Sequence, residues 1–345
     1  MASWAAVLAG GSGTRFWPLS TEDRPKQLLP LVGAAPLLKQ AVARLEALIP
    51  ADRILVVTGR RFLDEARSLL PSLPSENLLG EPRAASTAPA LAWATEVARR
   101  RDPEATVLSL HADWYVGDDE AFRATAGRAL DVAREHDLLV TVGVEPTRPE
   151  IGYGYIVPGE PLTGDARRVA RFVEKPDCEA AERLIAEGGL WNSGLFAWTA
   201  KRFRAETEAH APELAPALSL LEADQVERFF ESVTPIAVDI SHFERSDRVA
   251  VLPGRFPWDD VGTWSALRRV RASDARGNVA VGDTFVHGTY DSVGWSDEGV
   301  LVLDGLRDVV VVQANGITLV TTTERAAHLK ELLELLPEEI RRGRT

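Results

Sequence analysis

The sequence predicts an α/β protein: a Rossmann-like, mostly parallel sheet with helices on both faces, followed by a small C-terminal β unit of left-handed β-helix-like coils. Three observations predict it. Short apolar runs alternate with helical periodicities through the first half of the chain. A glycine-rich turn directly follows the first apolar run. After Arg276 the composition shifts to short β-branched runs broken by glycine and aspartate.

The elements follow in order. Ala5 to Leu8 reads as a buried strand running into the glycine turn. Leu37, Leu38, Ala41, Val42, Leu45, Leu48 and Ile49 recur at helical spacing. Strands are expected at 53–58, 106–110 and 138–144. Helices are expected at 62–70, at 89–101 with Thr87 as its N-cap, and at 119–135. This rhythm implies a parallel sheet, whose ligands sit at the carboxyl ends of its strands. Past Gly152, short strands at 171–174 and 194–198 alternate with helices near 179–187 and 225–232. Runs such as Val309 to Val312 and Thr318 to Val320 form the β unit, and 324–341 reads as one amphipathic helix. The boundary falls near 273–277, giving a larger domain of residues 1–273 and a β-helix-like domain of 277–345 with a terminal helix.

Composition narrows the function. The chain has 345 residues, 45% apolar and 26% charged, with a formal net charge of −12. Such an acidic chain is a poor general binder of nucleic acid, whose phosphates need a basic face. A few focused cations can still make a local positive pocket for a small phosphorylated ligand. No apolar run is long enough for a membrane helix, and no signal peptide is visible. The one cysteine, Cys178, excludes an internal disulfide and argues against a thiolate zinc site. These features fit a cytoplasmic protein.

Chemistry enters with Gly10-Gly11-Ser12-Gly13-Thr14-Arg15. Glycines let successive backbone N–H groups approach phosphate oxygens and form an anion nest. Arg15 offers a two-donor fork, and Lys26 follows. The loop is neither a Walker A motif nor a dinucleotide fingerprint, because it lacks the Gly-Lys-Ser/Thr ending and the third glycine. Asp113 closes a strand-like run, Leu108 to Asp113. A carboxylate there suits Mg²⁺, which takes one or two carboxylates plus phosphate oxygens and water. The alternative is that Asp113 caps the turn before the next helix.

The run L-A-G-G-S-G-T-R-F-W-P-L-S (Leu8 to Ser20), followed by P-K-Q-L-L-P-L (Pro25 to Leu31), resembles the signature of the sugar-nucleotidyltransferase family. Trp17 and Gln27 tilt the resemblance toward its mannose-1-phosphate guanylyltransferase branch. T-A-P-A (Thr87 to Ala90), H-A-D (His111 to Asp113), G-Y-G-Y-I (Gly152 to Ile156), V-E-K-P (Val173 to Pro176), W-N-S-G-L-F (Trp191 to Phe196) and W-D-D-V-G-T-W (Trp258 to Trp264) agree, in order, over nearly the whole chain.

The resemblance implies GTP and mannose 1-phosphate as substrates, Mg²⁺ as cofactor and a homodimer. It implies nucleotide contacts from Leu8, Ala9, Gly10, Gly11, Gly13, Thr14, Arg15, Lys26, Arg83 and Thr87. Asp113 and Asp260 would hold the metal, with Asp259 open to share or replace the role of Asp260. Gly154, Glu174, Lys175, Asn192 and Asp239 would hold the sugar phosphate. Arg15, Lys26, Asp113, Lys175 and Asp260 make the catalytic set. Two departures bear on this. Serine (Ser86) stands where asparagine is usual before T-A-P-A, and His111 precedes the aspartate instead of following it. Guanine could be read by backbone at 8–10 and by Arg83 or Glu81. The competing expectations are a uridylyl- or thymidylyltransferase acting on glucose 1-phosphate, a non-catalytic nucleotide-sugar-binding subunit, and a nicotinamide oxidoreductase.

Overall fold

A computed structural model describes residues 2–11 and 13–342. Ser12 of the glycine loop lies outside the described residues. The chain packs into two compact units that are discontinuous in sequence. The first comprises 1–10, 41–112 and 118–258; the second comprises 11–40, 113–117 and 259–345.

The first unit is built on a nine-stranded sheet. Its strands are β1 (Ser3–Ala9), β2 (Ile54–Gly59), β3 (Leu78–Glu81), β4 (Thr106–His111), β5 (Leu139–Val144), β6 (Tyr155–Thr163), β7 (Ala166–Val173), β8 (Leu190–Thr199) and β9 (Val249–Gly254). The order is β3-β2-β1-β4-β8-β5-β9-β7-β6. Only β7 and β8 run against the rest, so the sheet is mostly parallel as expected. Both faces of β1 are buried, which its continuous apolar run requires. Trp4, Ala6 and Leu8 join a core with Leu91, Ala94 and Ala98 of the helix Thr87–Arg101. Ala5 and Val7 point the other way and are fully buried as well. The helix Asp119–His136 packs on β4, β5 and β8. Trp93, Trp198 and Trp295 are buried, as their core role predicts.

Some local expectations are corrected. The helix at 87–101 starts at Thr87 itself, so Thr87 is its first residue and not its N-cap. Asp118 caps the helix Asp119–His136 by accepting from the N–H groups of Glu120 and Ala121. The terminal segment is not one helix. A 3-10 turn at Arg325–His328 leads into Leu329–Leu335, and Pro337 interrupts before Glu338–Arg341.

The second unit contains the β coils. Strands Val279–Val281, Val293–Ser296 and Val309–Ala314 stack in parallel, as do Thr284–His287 and Leu301–Asp304. Val279, Val293 and Val310 occupy one buried column, and Val281, Trp295 and Val312 the next. Ile317–Thr322 closes the stack antiparallel to Val309–Ala314. The same core takes in Phe16, Trp17, Leu19 and Leu29 from the segment after the glycine loop. The composition break at 273–277 therefore lies inside this compact unit.

His242 supplies a stability prediction. Its ring is buried in the first unit between the hydroxyls of Thr207 and Ser241, each 2.8 Å away, and stacks on Phe203. Burial, with His210 and Arg245 facing it, pushes its pKa down to about 3; Glu213 opposes weakly. The unfolded chain gains this proton near pH 6.5 and the native protein does not. Stability should therefore fall by about 1.4 kcal/mol per pH unit from this one group as pH drops below 6.5 toward 3. Urea unfolding of wild type and His242→Gln between pH 7 and 5 checks it. Equal pH slopes would remove His242 as the cause.

Candidate functional site

The residues singled out by sequence fall into three local clusters. The first lies in the second compact unit. Lys26 is only 5% exposed, although it is an ammonium. Its Nζ donates to Asp113 Oδ2 at 3.1 Å and to the backbone carbonyl of Asp260 at 2.7 Å. Gly13 makes this packing possible. Its φ is +59°, and a Cβ there would sit 2.4 Å from Lys26 Cβ. Arg15 rides exposed on the single 3-10 turn that Thr14 opens. A Cβ on Gly262 would lie 3.1 Å from Arg15 Nη1 and 2.6 Å from Asp260 Oδ2, so only glycine leaves this space to the two groups. Gly11 is exposed with a φ of +97°, and the space beside it is open.

Asp259 and Asp260 separate cleanly. Asp259 is buried and takes a bidentate ion pair from Arg269, at 2.6 and 3.1 Å, while its Oδ1 also accepts from Val261 N–H. Asp260 accepts from Gly262 N–H through Oδ1. One ammonium thus joins the Asp113 carboxylate to the Asp260 backbone, and the Asp260 carboxylate is turned to the Gly262 N–H. Among the described residues no group of three or more His, Cys, Asp or Glu could hold a metal alone. A hard divalent cation that draws its remaining ligands from phosphate and water fits this donor set.

The second cluster lies at the carboxyl ends of β1 and β3. The Leu8 carbonyl accepts from Ala112 N–H at 2.8 Å, and the Ala9 carbonyl from the Thr58 hydroxyl at 3.0 Å. Glu81 ends β3, and its Oε2 lies 3.9 Å from where a Cβ of Gly10 would be. Burial raises the Glu81 carboxyl to about 7. Arg83 is exposed and donates to the Val233 carbonyl at 2.8 Å. The Thr87 hydroxyl accepts from Val238 N–H at 2.9 Å.

The third cluster surrounds Asn192, which the structure places inside β8 and not in a turn before it. Its Oδ1 accepts from the Thr141 hydroxyl and Gly194 N–H; its Nδ2 donates to Asp239 Oδ1 at 2.7 Å. That network fixes which way the amide points. Asn192 N–H also donates to the Gly154 carbonyl at 2.8 Å. A Cβ on Gly154 would fall 2.5 Å from Glu174 Oε2. Burial raises the Glu174 carboxyl; Lys175, donating to Oε1 at 2.6 Å, partly offsets this, and the Asp239 charge reinforces it. Tyr153 and Trp191 meet edge to face beside this cluster, and Arg148 lies 4.9 Å over the Trp191 ring.

With this geometry in view, the nucleotidyl transferase family description matches residues 4–277. The chain belongs to the nucleotidyl transferase family. The mannose-1-phosphate guanylyltransferase of Escherichia coli (strain K12) is 35% identical over 96% of this chain and 73% of its own length. The xanthan biosynthesis protein XanB of Xanthomonas campestris pv. campestris is 37% identical over 95% of this chain and 72% of its own. A crystal structure from Thermus thermophilus, described as a mannose-1-phosphate geranyltransferase, is 36% identical with a TM-score of 0.89, covering 97% of this chain and 99% of that one.

Two signals in this nucleotidyl transferase chain were beyond sequence reasoning. Thr141 orients the Asn192 amide from fifty-one residues away in sequence. Backbone strain also marks the clusters. Among the described residues, the left-handed positions that are neither glycine, aspartate nor asparagine are Ser86 (φ 67°), Lys175 (48°) and Val261 (46°). Ser86 precedes Thr87, Lys175 is itself a candidate, and Val261 follows Asp260. Such strain costs of order 1–3 kcal/mol per residue and concentrates at functional positions.

Proposed function

We infer that this chain transfers a guanylyl group from GTP to α-D-mannose 1-phosphate, yielding GDP-mannose and pyrophosphate. The cluster of Lys26, Asp113 and Asp260 carries the reaction class, and the named relatives supply the substrates. An oxygen of the sugar phosphate attacks the α-phosphorus of GTP, that P–O bond forms, and the bond to the pyrophosphate oxygen breaks. No enzyme nucleophile is needed; catalysis is positioning and charge stabilisation.

Lys26 has used two of its three N–H donors on the protein. The third, with the Arg15 fork, serves the charge building on pyrophosphate. The N–H groups of Gly11, Gly13 and Thr14 add to that cradle. Lys175 takes the incoming sugar phosphate, while Glu174, Asn192, Asp239 and the backbone of Gly154 receive sugar hydroxyls. Glu81, beside Gly10, accepts from the N–H edge of guanine, with backbone at Leu8 and Ala9, and with Arg83 and Thr87 at the rim. Asp113 and Asp260 would hold Mg²⁺, which supplies charge neutralisation at the phosphates. We place the protein in the cytoplasm, as a homodimer.

A substrate panel tests the reading. Pyrophosphate release across GTP, ATP, UTP and dTTP, each with mannose and glucose 1-phosphates, should be greatest for GTP with mannose 1-phosphate. Preference for UTP or dTTP with glucose 1-phosphate would replace the substrates; release from no pair would point to a non-catalytic subunit.

A further inference from the structure

The dipeptide after the Arg15 turn is held from three directions by distant parts of the same compact unit. Asn315 sits in the turn between Val309–Ala314 and Ile317–Thr322, and its Nδ2 donates to the Pro18 carbonyl at 2.7 Å. Trp264 Nε1 donates to the Trp17 carbonyl at 3.1 Å. Trp17 Nε1 in turn donates to the Arg341 carbonyl at 3.0 Å. From within, Ser20, fully buried, closes the same loop by donating its hydroxyl to the Gly13 carbonyl at 2.5 Å.

These bonds converge on the segment between the exposed Arg15 and the buried Lys26. Trp17 and Phe16 are buried in the core shared with the β coils, with Phe16 edge to face on Trp264. Arg15 is exposed at the surface of this unit. Its position is inherited from the backbone on either side. A side chain borne on one 3-10 turn is only as well placed as the ends of that turn.

We propose that Asn315 is a positioning residue for the triphosphate-binding loop: with Trp264 and the Arg341 carbonyl it clamps Trp17–Pro18 and so fixes Arg15. The C-terminal β coils then serve the chemistry directly, by holding this loop. The kinetic part of the proposal rests on the guanylyltransferase reading above; the structural part does not.

Asn315 has a φ of +54°, a conformation glycine adopts without strain. Asn315→Gly therefore keeps the turn and removes only the side-chain donor. Asn315→Asp keeps the size and presents an acceptor to the Pro18 carbonyl. In the full-length chain, kcat/KM for GTP should fall about fivefold in Asn315→Gly, as for loss of one neutral hydrogen bond, and further in Asn315→Asp. The KM for mannose 1-phosphate and the thermal midpoint of Asn315→Gly should stay near wild type. Backbone hydrogen exchange at 13–20 should quicken in both variants, a readout independent of turnover. Unchanged exchange there in both variants overturns the clamp. Equal losses for both substrates together with a lowered midpoint overturn the positioning role in favour of a general structural one. If wild type releases no pyrophosphate, the substrate reading fails while the exchange result still decides the clamp.

Discussion

Lys26→Met lowers turnover by about a thousandfold or more, with the fold intact. The ammonium is nearly sealed from solvent and is held by Asp113 Oδ2 and the Asp260 carbonyl. Preorganised cations aimed at developing phosphate charge are worth about 10³ in rate or more in phosphoryl-type transfers, because the site does not reorganise as charge moves. Methionine fills the same volume against Phe16, over whose ring Nζ lies at 5.9 Å. The Asp113 side chain is a third exposed, so its carboxylate returns partly to water when the ammonium goes. The stability cost is then modest, about 1–2 kcal/mol. Lys26→Arg does not rescue, since a planar fork cannot occupy a pocket closed by the Gly13 backbone. Single-turnover pyrophosphate release together with a denaturation midpoint separates chemistry from folding. Turnover within tenfold of wild type would take Lys26 out of the catalytic set.

How much of this was legible in the sequence depends on how local each feature is. The strand-loop passage at Ala5 to Gly13 needs only neighbouring residues, so it could be read directly. The strand Val249–Gly254 could not, because its Pro253-Gly254 ending reads as a turn, and its ladder partners at 139–144 are distant in sequence. Leu78–Glu81 is four residues with a glycine, too short to show a period. The helix Ala200–His210 is largely polar outside Phe203, so its apolar stripe is thin. Neither local pattern nor composition distinguishes Asp259 from Asp260. Arg269, ten residues on, does so by claiming both oxygens of the first.

The largest shortfall concerns the second compact unit. Its three segments, 11–40, 113–117 and 259–345, are joined by packing and not by sequence order. Composition marked a change after Arg276, where the coils begin, but could not show that the glycine loop's continuation is buried in the same core. Lys26, Asp113 and Asp260 are brought together by that assembly. Motif order predicted that they belong to one reaction; only the fold supplies the ammonium that joins the two aspartates.

Asp113→Asn and Asp113→Ala should abolish turnover alike, by about a thousandfold or more, yet differ in stability. Both remove the negative charge that would bind the cation, and a neutral amide is a weak ligand for a hard divalent ion. Asparagine retains an oxygen where Lys26 Nζ donates, so the buried ammonium keeps its second partner. Alanine leaves it with the Asp260 carbonyl alone at 5% exposure. Stranding a buried charge costs more than losing an exposed pair, about 2–3 kcal/mol here given the partial exposure of Asp113. The expected order of denaturation midpoints is wild type, then Asp113→Asn, then Asp113→Ala, while both variants require far more Mg²⁺ for their residual pyrophosphate release. If Asp113→Asn turns over normally at the wild-type Mg²⁺ requirement, Asp113 is only the anchor for Lys26. The carboxylate chemistry would then rest on Asp260.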